Sequence, residues 1–414
     1  GKKVPESLLE IFAQNPEYSA KLDSLINAKD KVPFKIFDKK NAEKLFGKNL
    51  NISASQLEKF NLCRFSYFCN YGLNVRERQR AEINPMQYGT IVHYILERFF
   101  GEYTKEEYLS LEEDKFQKIV CAYLAEYAVK YFGEEQLESN SFTYRLKTIL
   151  DNVMYLMKHI MEELSQSEFF VADCELKIGE DIPSYTIVLP DGHKIAVCGS
   201  VDRVDIMQRA DITYLRIIDY KTGTKQFKLS DILYGINLQM LLYLHSIEAS
   251  GGDKYGEIVP AGILYMPATV PYISSDSLKS IDKLPDELNK KLKMNGLLLK
   301  DTEIIHGMDK TDVATYIPVK IKAGEPVSST SLATLAEFGK IFKKVDMLIA
   351  EMGKNIYNGN IEAKPLKGGH DSCEYCPYDS VCAYRQSNPI TCFSVDNKTV
   401  IEEITNEING KEEE

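Results

Sequence analysis

The run Ile217-Ile218-Asp219-Tyr220-Lys221-Thr222-Gly223 sets a carboxylate and an ammonium two residues apart at the end of an apolar stretch. On a strand alternate residues share a face, so Asp219 and Lys221 point one way and Tyr220 the other. A second acid, Asp202, closes Gly199-Ser200-Val201-Asp202. Two carboxylates from neighbouring strands with a lysine beside them form a hard oxygen site, of the kind Mg²⁺ or Mn²⁺ prefers. Such an ion lowers the pKa of a bound water and neutralises charge building on a phosphate. Lys221 can orient that water or stabilise the transition state. An isolated D-x-K is also a common strand-edge ion pair, so the reading needs further residues. His93 in Gly89-Thr90-Ile91-Val92-His93, Glu175 on the first strand, and Gln239 with Tyr243 four apart on one helix face are those candidates. Taken singly, each also fits a packed or solvated side chain.

A second constellation is Cys373, Cys376 and Cys382, spaced C-x2-C-x5-C. Three thiolates this close converge on one centre and suit zinc or an iron–sulfur cluster. The fourth ligand must come from His370, Cys392, Cys69 or Cys63. Cys121, Cys174 and Cys198 lie in apolar stretches and read as buried thiols. Nine cysteines, an odd number, argue against a disulfide framework and for a reducing compartment.

The elements that must position these residues follow from pattern. Ser53 before Ala54-Ser55-Gln56 marks a helix start, and Gly72 can end that helical segment. Residues 86–101 carry Ile91, Tyr94, Ile95, Leu96 and Phe99 at helical spacing, with His93 and Glu97 on one face. A charged helical stretch, 104–166, breaks near Gly133. Residues 168–178, 194–206 and 212–220 read as strands, 231–249 as a helix and 257–266 as a strand. The order helix, three strands, helix, strand predicts an α/β fold with a mixed sheet. We divide the chain into a lead-in (1–48), an N-terminal helical region with the first cysteine (49–82) and a core (83–267) holding the helical insertion. A β-rich insertion (268–335), a C-terminal helix with the cysteine loop (336–393) and a frayed acidic tail (394–414) complete the division.

Length allows about two or three domains. Hydrophobic and charged fractions of 44% and 27% exclude wholesale disorder. No apolar run approaches the roughly 18 residues of a membrane span, and no secretory signal is evident, so a cytoplasmic protein without membrane contact is expected. A net charge of −11 excludes a protein that coats nucleic acid by bulk positive charge.

Taken together and in order, G-x-x-x-H (Gly89 to His93), G-x-x-D (Gly199 to Asp202), D-Y-K-T-G (Asp219 to Gly223) and Q-x-x-x-Y (Gln239 to Tyr243) resemble the RecB-type branch of the PD-(D/E)XK nuclease superfamily. The resemblance implies a restriction-endonuclease-like core. It implies that His93, Asp202, Asp219 and the Tyr220 carbonyl hold the divalent metal and that Lys221 acts on the attacking water. Gln239 and Tyr243 would position the DNA strand. It also implies that Cys63, Cys373, Cys376 and Cys382 bind a [4Fe–4S] cluster as a clasp around the core. Residues 45–390 look most like B subunits of bacterial AddAB-type helicase–nucleases. That likeness implies exonuclease action on single-stranded DNA, on the 5′-ended strand, with an A subunit as partner, in double-strand break processing. No G-x-x-x-x-G-K-[ST] phosphate loop occurs here, so the chain resembles the C-terminal nuclease part. Arg64 departs from the family's proline after the cysteine. Competing readings are a non-catalytic DNA-binding clasp, a stand-alone exonuclease of the CRISPR-adaptation type and, for the thiols, zinc with His370 replacing Cys63.

Overall fold

The structure is a computed structural model that describes residues 35–76, 85–137, 139–223, 225–271, 284–328, 330–382, 384 and 389–412, with isolated positions 10, 11, 14, 18, 19 and 21. Most of the lead-in, residues 77–84, part of the 268–335 insertion and the last two tail residues lie outside the described residues.

Ser53 caps helix α1 (Ala54–Leu62) through a capping box with Gln56, as its position predicts. Helix α2 (Pro85–Glu102) carries the His93 motif. Two long helices, α3 (Glu113–Phe132) and α4 (Asn140–Gln166), are separated at Gly133, whose φ of +81° ends α3. The sheet follows: β1 (Phe170–Ile178), β2 (Gly199–Arg209), β3 (Ile212–Lys221), then helix α5 (Gln239–Ser250) and β4 (Glu257–Pro267). Two more strands, β5 (Asn295–Leu299) and β6 (Leu332–Ala333), extend the same sheet, so the insertion contributes to the core as well. Spatial order equals chain order, β1 to β6. Pairings are antiparallel except β3–β4 and β5–β6, which makes the sheet mixed. Helix α5 makes the crossover between parallel β3 and β4 and packs on both. Helix α6 (Leu335–Tyr357) packs against α5, and α7 (Asn397–Glu412) against α6.

Three expectations need correction. The 194–206 strand is two: Lys194–Val197 joins a small sheet with Leu50–Ile52 and Thr186–Val188, and β2 starts afresh at Gly199. The 231–249 helix is a 3₁₀ turn (Leu229–Tyr234) followed by α5, because Gly235 at φ +69° and Asn237 at φ +54° reverse the backbone between them. The acidic tail is ordered as α7. Val400 and Ile404, four apart and fully buried, anchor it beneath its charged face, and Lys344 pairs with Glu407 at 2.5 Å.

Beneath the sheet lies a charge network absent from the motif reading. Arg203, Arg216, Glu163 and Asp205 are all fully buried. Arg203 donates to both Asp205 oxygens at 2.8 Å, and Arg216 donates to Glu163 at 2.6 Å and to Asp205 at 3.0 Å. Two guanidiniums and two carboxylates cancel in charge, the condition under which such burial is tolerated. Arg203 also donates to the Tyr220 hydroxyl at 3.3 Å, so the network pins the residue between Asp219 and Lys221.

Candidate metal site

The β2–β3 ladder ends at the Arg203–Ile218 pair, which leaves Asp202 and Asp219 just past the last pair on adjacent strands. The Tyr220 N–H donates to Asp202 Oδ2 at 2.9 Å and fixes that carboxylate at the opening. Asp219 is 2% exposed. Its Oδ1 accepts from Gln239 Nε2 at 3.0 Å. Its Oδ2 makes no hydrogen bond and faces Lys221 Nζ in a close ion pair.

Glu175 completes the site by an unusual route. It has φ +50°, rare for a residue with a side chain. The β1–β2 pairing runs Cys174–Arg203 and then Leu176–Val201, skipping the Glu175–Asp202 pair. This local twist turns the Glu175 carboxylate onto His93 Nδ1 at 2.8 Å, with Ser200 Oγ donating to its other oxygen at 2.8 Å. His93 Nε2 then faces Asp202 Oδ2 at 3.6 Å. One donor atom each from His93, Glu175 and Asp202 lies within 4.8 Å of the others, the sole such group among the described residues. Strained backbone of this kind costs on the order of 1–3 kcal/mol and concentrates at functional sites.

The electrostatics ask for a cation. Burial, and then the Asp219 charge, push Asp202 up to about 7. Burial pulls His93 down, but the Glu175 hydrogen bond and the charges of Asp202, Glu175 and Asp219 outweigh it and hold it above its ordinary value. Burial raises Glu175, yet the His93 and Ser200 hydrogen bonds keep it below the usual carboxylate range. A proton on the imidazole thus stands where a positive charge is wanted. The donor set, carboxylates and one imidazole with an unbonded Asp219 oxygen, fits Mg²⁺ or Mn²⁺.

Of the residues predicted from sequence, His93, Asp202, Asp219, Tyr220, Lys221 and Gln239 meet at this one end of the sheet. Glu175, the least supported by its motif, is central. Tyr243 is buried, with its hydroxyl at Gly199 and bonded to the Ala54 N–H. A Cβ on Gly199 would overlap that hydroxyl, so the glycine of G-x-x-D and the tyrosine of Q-x-x-x-Y fit one another. Sequence reasoning missed Glu58. Its carboxylate accepts from the Leu238 N–H at 2.7 Å and the Gln239 N–H at 3.4 Å, capping α5 from α1. Asn61 on the same helix donates to the Gly235 carbonyl at 3.0 Å.

Cys63, at the junction of α1 and the short helix Arg64–Tyr67, lies in one apolar cluster with Cys69, Cys376 and Cys382. Burial raises its thiol, and the Ser66 and Phe65 N–H groups oppose that by bonding to the sulfur. Cys373 is close enough to Cys382 for their charges to interact. His370 turns instead to Asp231, 3.6 Å away, and Cys392 packs with Ile236 and Leu366. Arg64 occupies the first position of its helix, where proline is also favoured, so the substitution preserves the backbone.

Comparison with known proteins agrees with this geometry. The chain is similar to the B subunit of the ATP-dependent helicase/deoxyribonuclease of Clostridium kluyveri, at 35% identity over 397 residues, covering 92% of this chain and 34% of that protein. It is similar to the same-named protein of Thermoanaerobacter sp. (strain X514), at 34% over 354 residues, covering 83% of this chain and 30% of that protein. The same-named protein of Ruminiclostridium cellulolyticum is 33% identical over 398 residues, covering 92% and 34%. The chain therefore spans about a third of the length of the curated relatives it matches. No helix among the described residues is long and apolar enough to cross a membrane. The family model for the PD-(D/E)XK nuclease superfamily matches residues 51–383, which span the site, the sheet and Cys63, Cys373, Cys376 and Cys382, and the chain belongs to that superfamily.

Proposed function

We propose that this chain is the metal-dependent nuclease part of a helicase–nuclease, hydrolysing phosphodiesters of single-stranded DNA on the 5′-ended strand. Its partner would be an A-type helicase subunit, and its role the processing of double-strand breaks. The observation that carries this reading is the convergence of His93, Glu175 and Asp202 beside the Asp219–Lys221 pair. His93 Nε2, Asp202 and Asp219 would hold Mg²⁺ or Mn²⁺, with the Tyr220 carbonyl as a further candidate ligand. When bound, the ion would acidify water and offset charge on the scissile phosphate. Glu175 keeps the His93 Nδ1 proton, so the Nε2 lone pair faces the carboxylates. Lys221 delivers positive charge beside Asp219, where attacking water and phosphate oxygens must meet. Gln239 holds Asp219 in place, and Tyr243 sets the start of β2 beneath Asp202. Residues Cys63, Cys373, Cys376 and Cys382 would hold a [4Fe–4S] cluster. Cys63, Cys376 and Cys382 share one apolar cluster with Cys373 near Cys382, and His370, the alternative fourth ligand for zinc, is engaged by Asp231.

The test is cleavage of single-stranded DNA labelled at either end, with Mg²⁺ or Mn²⁺. Asp219→Ala and Lys221→Ala should abolish cutting while thermal unfolding stays cooperative. Full activity in either variant removes the assignment. A brown protein with iron and sulfide supports the cluster, whereas colourless protein with one zinc replaces it.

A further inference from the structure

The cleft at the metal site has a volume of about 880 Å³ and is lined by His93 and Glu175 together with Tyr94, Tyr127 and Tyr131. The tyrosines come from two helices. Tyr94 follows His93 on α2, and Tyr127 and Tyr131 are four apart on α3, hence on one face. Their rings form a graded series. Tyr94 and Tyr127 have centroids 5.2 Å apart, and Tyr127 and Tyr131 lie 4.4 Å apart at 35°. Tyr127 is 5% exposed and fixed, whereas Tyr131 is 55% exposed. The buried ring therefore braces an open one.

Packing does not require the outer ring, since most of it is in water. Its setting suits nucleic acid. Lys177, Lys221 and Lys225 line the same cleft, and Lys130 Nζ sits 5.1 Å from the Tyr131 centroid. Glu97 and Glu175 are the acids facing it, and Glu175 is held by His93 and Ser200. Aromatic rings and lysines in one cleft give the stacking and charge that bind single strands without sequence preference. In a duplex both faces of a base are already stacked, so such a ring selects a splayed strand.

We propose that Tyr131, braced by Tyr127, is a stacking platform for a base of single-stranded DNA next to the nucleotide whose phosphate enters the metal site. This rests on the nuclease reading above, and its test separates the two. The chain contains no tryptophan, so Tyr131→Trp introduces a unique fluorophore. In EDTA, where hydrolysis stops, an oligothymidine should quench that fluorescence, and an abasic oligomer of equal length should not. Tyr131→Ala should weaken oligothymidine binding about fivefold or more, and Tyr131→Phe should restore it, since stacking contributes at least about 1 kcal/mol per base. With Mg²⁺, the KM of Tyr131→Ala should rise and its preference for normal over abasic substrate disappear. Equal quenching by both oligomers, or an unchanged Kd in Tyr131→Ala, overturns the platform while leaving hydrolysis by the parent intact. Quenching without any metal-dependent hydrolysis by the parent would retain the platform and remove the nuclease reading.

Discussion

Lowering the pH should weaken divalent-metal binding, and the site sets the size of the effect. Without metal, Asp202 keeps its proton up to about 7, because burial and the Asp219 charge both oppose ionisation. His93 also holds its proton above its ordinary value. A metal needs both groups bare, so binding must release protons. With a midpoint of about 7, Asp202 is ionised in about one molecule in eleven at pH 6 and ten in eleven at pH 8. Apparent affinity for Mn²⁺ should therefore fall about tenfold between pH 8 and pH 6 through Asp202 alone, and further through His93. Stability should move accordingly. Asp202 binds its proton more tightly folded than unfolded, so its contribution in the metal-free protein is fully present below about pH 4 and lost as pH rises through about 7. The His93 contribution, raised above its ordinary value, is likewise lost as pH rises through its own folded value. Metal reverses both losses, so the thermal shift on adding Mn²⁺ should be larger at pH 8 than at pH 6. Calorimetric titration at pH 6, 7 and 8, in two buffers of different protonation enthalpy, measures affinity and proton release together. A Kd constant within twofold, with no proton released, would refute this electrostatic account of the site.

Three other perturbations probe the supports. Gly199→Ala should lower kcat and cost about 1–3 kcal/mol, because its Cβ overlaps the Tyr243 hydroxyl; with Tyr243→Ala the two losses should be less than additive in denaturant unfolding. Glu163→Gln leaves an unbalanced buried guanidinium and should cost about 3–5 kcal/mol. For a chain of this size that is a fall of about 3–6 °C in Tm by scanning calorimetry, and a shift under 1 °C would count against a charge-balanced network. Glu58→Ala removes the cap of α5 and should lower kcat more than it changes KM, whereas Glu58→Gln, which keeps an acceptor, should retain most activity.

The chemistry at the strand ends was legible because its parts are local. Asp219 and Lys221 share a strand face, Gln239 and Tyr243 share a helix face, and a capping serine marks α1. Residues whose roles depend on distant partners were not. Glu175 looks like an edge acid until a positive φ turns it onto His93, a residue 82 positions earlier. Glu163 on α4 meets Arg203 and Arg216 from two strands, and no periodicity reports that meeting. Gly235 hid the break before α5 inside an apolar run. Val400 and Ile404 were too few, among so many acids, to announce a helix.

The order of the sheet bears on how the chain comes together during synthesis. Each strand from β1 to β6 adds beside the one made before it, so the sheet can grow as the chain emerges, apart from the crossover through α5. The thiol neighbourhood cannot. Cys63 is made before the sheet, and its neighbours Cys376 and Cys382 follow about 310 residues later. Joining them in an unfolded chain would cost about 5 kcal/mol in loop closure, most of which is removed once the sheet holds both ends in place. Until then Phe65 and Cys69 lack Tyr378 as a neighbour and leave an apolar face open. A chain halted after α6 would carry every residue of the metal site yet lack this closure, so the meeting of the cysteines reports that synthesis has passed the cysteine loop.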